Sequence, residues 1–392
     1  MIKASLFSGA FSLLNTILIF NTLFNNNKMT QTDKKHRIIF IDLMRAFAVL
    51  QMVQGHTVDA LLAPEYRLLD YTAYSVWNFM RGMTAPIFMF TSGTVFTYLF
   101  RLVDEPFEKN PRVKKGLKRF LLLVFLGYLL RYPTYKIFDF SNVTKQQLDI
   151  FFAVDVLQLI GFGLLFLMVS AFISEKLKLG DTITFLIIGL SFIIPAPFFA
   201  RIDWLKYFPL PIANYFYTGN GSLFPLFPWA GYVVFGGILG SYLARNPMVF
   251  KTNKFSMRLV FIGMILISIS ALYIKFHLGE SISNYSDSYT YDTIVFRVGF
   301  VLILTGMVSY ISQSLNSIPR IIILIGRNTL LIYVVHLMII YGSAWNPGLF
   351  KVWGNSLPAS FTILIAIMMI TVMTIMVVLL SKLKIKNKQL VT

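Results

Sequence analysis

The sequence predicts an all-α polytopic membrane protein, a single bundle of about ten transmembrane helices with both bundle ends on the cytoplasmic side. Three observations carry this. Of 392 residues, 56% are hydrophobic and only 13% charged, against roughly 25% charged in a soluble domain, so the chain cannot cover a surface facing water. Apolar runs of about 20 residues, the length that crosses the hydrocarbon, recur along nearly the whole chain. The basic residues gather in alternate loops, as expected when one side of the bundle faces the cytoplasm.

The expected spans are 38–62, 77–100, 117–132, 150–173, 182–198, 222–244, 255–276, 293–312, 321–343 and 356–381. Lys34, Lys35 and Arg37, the bases from Arg101 to Arg119, Lys176, Lys178, Arg245, Lys251, Lys254, Arg258, Arg320 and the Lys382–Lys388 tail fall on one side. That side is assigned to the cytoplasm. Residues 1–36 form an N-terminal extension, readable as a weak extra span or as sequence upstream of a start at Met29; 37–383 form the membrane domain and 384–392 a basic cytoplasmic tail. The net charge of +18 is explained by positive loops beside apolar spans, so no nucleic-acid partner is expected. Membrane lipids are the expected surroundings, and the oligomeric state stays open, a homo-oligomer included. With no cysteine in the sequence, disulfides, thiolate metal sites and cysteine nucleophiles are excluded. No Gly-rich phosphate loop, His-Glu-x-x-His or Gly-x-Ser-x-Gly motif is present, and no metal site is expected.

Polar residues inside apolar spans are expensive and therefore informative. In the first span Asp42, Arg45, His56 and Asp59 share an arc of about 100° on a helix turning about 100° per residue. Asp42 and Arg45 can pair at i,i+3, as can His56 and Asp59. The second span carries Asn78, Arg81, Thr84, Thr91 and Ser92 on one face, with Pro86 set to bend it and Gly82 and Gly93 set for close helix approach. At about 1.5 Å per residue His56 lies about 27 Å from Ile38, close to the outer face. By the alternating topology Arg81, Asp155, Trp229, Arg297 and His336 also fall in the outer half, whereas Asp42, Arg45 and Arg327 fall in the inner half. Two polar layers suit a cavity approached from both sides. Asp292 and Arg297 flank the start of a helix, where an ordinary interfacial role is also expected, and Trp229 suits an interface anchor or a pocket wall. His336 and Arg327 are expected on opposite faces of one helix.

The run Arg37-Ile38-Ile39-Phe40-Ile41-Asp42-Leu43-Met44-Arg45-Ala46, followed by Met52 and His56, resembles the opening signature of multispan acyltransferases. It is most similar to bacterial relatives of heparan-alpha-glucosaminide N-acetyltransferase, within the transmembrane acyltransferase superfamily. Arg81 with Thr84 to Gly93, Asp155 to Gly161, Phe227 to Tyr232 with Gly236 and Gly240, and Ile325 to Leu330 through His336 resemble later motifs in the same order. The likeness covers Arg37 to Tyr341; Ala46 departs from the usual glycine.

The resemblance implies transfer of an acyl group, acetyl foremost, from cytosolic acetyl-CoA as co-substrate to a hydroxyl or amine of a glycan or cell-envelope acceptor, in the inner (cytoplasmic) membrane. His56 is the expected general base or transient acyl acceptor, oriented by Asp59 or Asp155, with Arg81 at the developing oxyanion. Asp42, Arg45 and Arg327 are expected at the donor's phosphates, and Trp229, Arg297 and His336 at the acceptor. The competing expectation is a transporter or flippase for a glycan or lipid intermediate, since intramembrane charges also mark transport paths. A receptor or sensor fits poorly without an attached soluble domain.

Overall fold

A computed structural model describes residues 38–219, 221–277, 289–315 and 317–389. The N-terminal extension and Arg37 of the opening motif lie outside the described residues. Among the described residues, twelve helices of eight residues or more run in the order α1 (Ile39–Leu61), α2 (Thr72–Arg101), α3 (Pro111–Leu130), α4 (Lys145–Phe152), α5 (Val156–Lys176), α6 (Asp181–Ile193), α7 (Leu226–Arg245), α8 (Asn253–His277), α9 (Tyr291–Gln313), α10 (Arg320–Arg327), α11 (Thr329–Ile340) and α12 (Ala359–Gln389). The strands among the described residues are one two-residue hairpin, Gly342–Ser343 with Asn346–Pro347. The protein is an all-α polytopic membrane protein.

Each of the ten expected spans coincides with a helix or a helix pair. Seven of these helices are long and apolar enough to cross a membrane, and α10 with α11 make an eighth if that bent pair is one span. The two that fall short of the expected ten are α1 and α3. α1 carries the polar stripe, and the first half of α3 holds Arg112, Lys114, Lys115, Lys118 and Arg119. The eighth span is not the straight helix expected over 321–343. It breaks at Asn328, and its halves meet at 75°, so a single helical wheel does not relate Arg327 to His336.

The chain divides into two compact units. Of the described residues, the first contains 38–78, 135–137 and 318–389. Here α1 packs on α10, α11 and α12 through a core that includes Val49, Val53, Leu61, Ile325, Ile332, Val335, Met369 and Met373. The approach of α1 to α10 is backbone on backbone: a Cβ on Gly326 would stand 2.6 Å from the Asp42 carbonyl oxygen. Arg67 closes the end of α1, donating to the carbonyls of Asp59 (2.9 Å) and Leu62 (Nε, 3.0 Å) and to Asn355 Oδ1 (2.6 Å). It thereby satisfies acceptors that a helix terminus leaves without partners.

The second unit contains, of the described residues, 79–134, 138–219, 221–277, 289–315 and 317. α3 packs on α5, α7 packs on α5 and α6, and α8 pairs along its length with α9. In a membrane, close packing of small residues replaces the hydrophobic effect as the force between helices. The α2–α7 contact shows this: a Cβ on Gly236 or Gly240 would lie 2.0 or 2.3 Å from the carbonyl oxygens of Phe90 or Thr94. Gly93 meets Val233 in the same way, as expected, whereas Gly82 borders open space. Thr84, Thr91 and Thr94 are buried and return their hydroxyls to carbonyls four residues back. The threonine face expected to be polar is therefore satisfied within α2.

The ends of four helices in this unit meet at Asp181, which is 1% exposed. Its Oδ1 accepts from Arg101 Nη2 (2.7 Å) and Ser174 (2.8 Å), and its Oδ2 from Arg101 Nε (2.9 Å), Ser241 (2.6 Å) and Arg245 (2.7 Å). Arg101 also donates to Glu175, whose other oxygen accepts from the Phe107 amide at 2.8 Å.

Candidate active site

The residues marked by the sequence separate into two sets. His56, Asp59, Asp42, Arg45, Arg327 and His336 belong to the first unit; Arg81, Asp155, Trp229 and Arg297 belong to the second.

In the first unit the stripe on α1 faces the broken span. Arg45 Nη2 donates to Thr329 Oγ1 (3.1 Å) in the first turn of α11, and Arg327 is exposed at the end of α10. Nearly two turns beyond the middle of α1, His56 and His336 come together with ring centroids 5.4 Å apart. They are the two histidines whose side chains fall among the described residues. His336 is fully buried, and its Nδ1 lies 2.8 Å from the Ile332 carbonyl. A carbonyl can only accept, so Nδ1 carries the proton in the neutral ring. Nε2 then presents a lone pair, and it has no hydrogen-bond partner. His56 is half-buried, with the Tyr341 ring edge-on at 5.9 Å and the Tyr341 hydroxyl 3.5 Å from its Nδ1. Beside it Gly55 is buried, yet a Cβ there would touch nothing within 4 Å. Open space thus adjoins the histidine pair. Asp59 is half-buried one turn beyond His56.

In the second unit Asp155 has a local task. Its Oδ1 accepts from the Val156 amide (2.7 Å) as the cap of α5, in a capping box with Gln158, and its Oδ2 binds Arg131 at 2.9 Å. Arg81 is exposed, about three turns into α2. Trp229 and Arg297 are brought together: the guanidinium stands over the indole, 5.2 Å from its centroid. Both are buried, at 5% and 7% exposure, as is Asp292. All three side chains are thus covered by protein and not left exposed at a helix entry.

A family model for the catalytic domain of heparan-alpha-glucosaminide N-acetyltransferase matches residues 37–277, well over half of the chain. The chain belongs to this family. No curated protein matches it. The family is one of membrane acetyltransferases, and the chain is accordingly an acyltransferase by family. His56, Asp59, Arg81, Asp155 and Trp229 lie within the matched residues, whereas Arg297, Arg327, His336 and Tyr341 lie beyond them.

Tyr232, Tyr341 and Asp181 escaped the sequence reading. Tyr232 stands three residues after Trp229, a spacing that puts both on one helix face, and this signal was available. Tyr341 ends α11 as one aromatic among many and gave none. Asp181 follows Gly180 at a helix start, where an acidic residue is ordinary.

Proposed function

We propose that the protein moves an acyl group, acetyl foremost, from cytosolic acyl-CoA to a hydroxyl or amine of a glycan or cell-envelope acceptor, in the cytoplasmic membrane. The observation that carries this reading is the histidine pair, His336 buried and His56 half-buried, on a chain of the acetyltransferase family, with open space beside Gly55. His56 is the base. As the acceptor oxygen or nitrogen adds to the thioester carbonyl, its proton passes to a ring nitrogen of His56. The carbon–sulfur bond then breaks, and the CoA thiolate departs with that proton. His336, its tautomer set by Ile332, offers the Nε2 lone pair that stabilises an imidazolium at His56. His336 is thus better read as partner of the base than as an acceptor contact. Asp59 orients His56, and Arg45 and Arg327, beside Asp42, hold the donor's phosphates.

The test uses purified protein in nanodiscs with labelled acetyl-CoA and envelope extract as acceptor, comparing wild type with His56→Ala and following CoA release and protein-bound label. Loss of about 100-fold or more in turnover is expected, the scale of a missing general base; label retained on the wild-type protein would mark a covalent route. Near-wild-type turnover in His56→Ala sinks the assignment. If acetyl-CoA neither binds nor turns over, transport of a glycan or lipid intermediate takes its place.

A further inference from the structure

Lys114, Lys115, Lys118 and Arg119 of α3 are exposed and form no ion pair among the described residues. α3 contains no acidic residue of its own, and Asp104, Glu105 and Glu108 in the loop before it are exposed as well. The depth of the bases decides what they can meet. Asn110, the cap of α3, donates to the Phe100 carbonyl at 3.2 Å, so the helix starts level with the end of α2. There Arg101 binds Asp181 and Glu175, Arg245 binds Asp181, and the Phe107 amide donates to Glu175. This charged layer marks where α2, α5 and α7 end on one side of the unit. From it α3 runs inward along α5. A Cβ on Gly116 would stand 2.6 Å from Met168 Sδ, and one on Gly161 3.2 Å from the Phe120 carbonyl oxygen. At about 1.5 Å per residue Lys118 and Arg119 lie about 12 to 14 Å beyond Asn110.

The face on which they lie is apolar. At about 100° per residue Lys114, Lys118, Leu121 and Phe125 fall within about 60° of one another, with Leu117 beside them. Leu117, Leu121 and Phe125 are 46%, 57% and 61% exposed, a face that suits lipid tails. α8 shows the ordinary arrangement. Its bases Lys254 and Arg258 precede an apolar run from Leu259 to Phe276, about 27 Å long and close to the hydrocarbon thickness of about 30 Å. The apolar run of α3, Phe120 to Leu130, measures only about 16 Å. Positive loops beside full-length spans therefore explain the bases of α8 and not those of α3. A cation held against lipid tails is costly, and snorkelling carries it only part of the way back to the headgroups. What completes it is an anion at the edge of the tails, and the bilayer supplies one in the phosphate of an acidic lipid.

We infer that Lys114, Lys115, Lys118 and Arg119 bind the headgroup of an anionic phospholipid, drawn inward along α3 on the side that the basic loops assign to the cytoplasm. Lys114 and Lys118 continue the lipid-facing line of Leu121 and Phe125, and Lys115 and Arg119 stand about 100° round the helix from them. The four thus frame one headgroup from two sides, while its tails run along Leu117, Leu121 and Phe125. The inference does not depend on the acyltransferase reading.

The experiment titrates the full-length protein, in an uncharged detergent, with dioleoyl phosphatidylglycerol or dioleoyl phosphatidylcholine, and counts bound lipid by native mass spectrometry. Wild type is compared with Lys114→Gln/Lys115→Gln, with Lys118→Gln/Arg119→Gln, and with Lys254→Gln/Arg258→Gln on α8. Wild type should bind phosphatidylglycerol at least about tenfold more tightly than phosphatidylcholine, and each α3 pair should lose about tenfold of that affinity. The deeper pair should lose more than the shallower one, and the α8 pair less than about twofold. Bases without partners strand nothing when neutralised, so the melting temperature in detergent should hold; if one α3 pair does not fold, the other decides. Equal affinity for the two lipids overturns the inference. So does an α8 pair that weakens binding as much as the α3 pairs, since the effect is then surface charge alone. CoA that displaces phosphatidylglycerol through the same four bases assigns them to the donor and overturns it too.

Discussion

Asp181 and Arg297 are both charged, both more than nine-tenths buried, and both placed in the second unit. Every lone pair that Asp181 directs at its neighbours is used, by two arginines and two serines drawn from three other helix ends. Arg297 keeps two nitrogens without a partner and a tryptophan face in place of a carboxylate. A buried charge that is saturated belongs to the architecture, because removing it strands its partners. A buried charge that is unsaturated is held by the rest of the fold and waits for something the fold does not supply. Burial alone does not tell the two apart, whereas a hydrogen-bond inventory does.

The contrast can be broken most forcefully at Asp181. Asp181→Ala leaves Arg101 and Arg245 facing each other without their shared anion. A loss of about 3–5 kcal/mol is expected for one partner removed from a buried charge pair, read as loss of the monodisperse peak in detergent size-exclusion chromatography. Survival of a wild-type melting temperature would mean that the cluster is not structural. Arg101→Gln, which gives up its bonds to Asp181 and Glu175, should follow at about 2–4 kcal/mol. Arg245 is more than half exposed, so Arg245→Ala should cost no more than about 1 kcal/mol and change the melting temperature by a few degrees at most. The smallest effect on the unliganded protein belongs to Arg297→Met. A buried charge exchanged for an apolar side chain of similar length should leave the melting temperature unchanged or slightly raised. A marked fall would place Arg297 beside Asp181 as a structural residue. On the functional side, Gly55→Leu fills the space beside His56 and should abolish turnover while the melting temperature holds. A fully active Gly55→Leu protein would move the reacting groups elsewhere.

Hydropathy located the helices well, since each run of apolar residues is long and bounded by bases or by Gly and Pro. α1 and α3 are less apolar than the other expected spans because they carry their own polar load, which lowers their apolarity without removing the helix. The break at Asn328 was not legible, because Gly326-Arg327-Asn328 contains no proline and the apolar pattern resumes at once in α11. Of the site, His56 and His336 were each visible as histidines at outer depth, and depth is what alternation of spans can estimate. Their approach to 5.4 Å was not, since 279 positions separate them and only the docking of α11 on α1 brings them face to face. The stripe on α1 was legible as a stripe, and its partner, the broken span, only as an ordinary helix. Arg297 was legible as an acceptor contact, with an interfacial role open because Asp292 and Arg297 flank a helix start, whereas its stacking on Trp229 was not.

The 75° break between α10 and α11 also bears on the lipid. At about 1.5 Å per residue the two pieces measure about 12 and 18 Å, and at that angle they span about 24 Å end to end whatever their tilt, against a hydrocarbon thickness of about 30 Å. If the bent pair is one span, the segment that carries His336 is too short for an average bilayer, and the mismatch is met by local thinning or by strain on the bend. Acyl-chain length of the surrounding lipid thus becomes a physical control on the histidine pair. Turnover in nanodiscs should peak in short-chain lipid and decline as the chains lengthen, and a flat profile across chain lengths would show that neighbouring helices shield the bend completely.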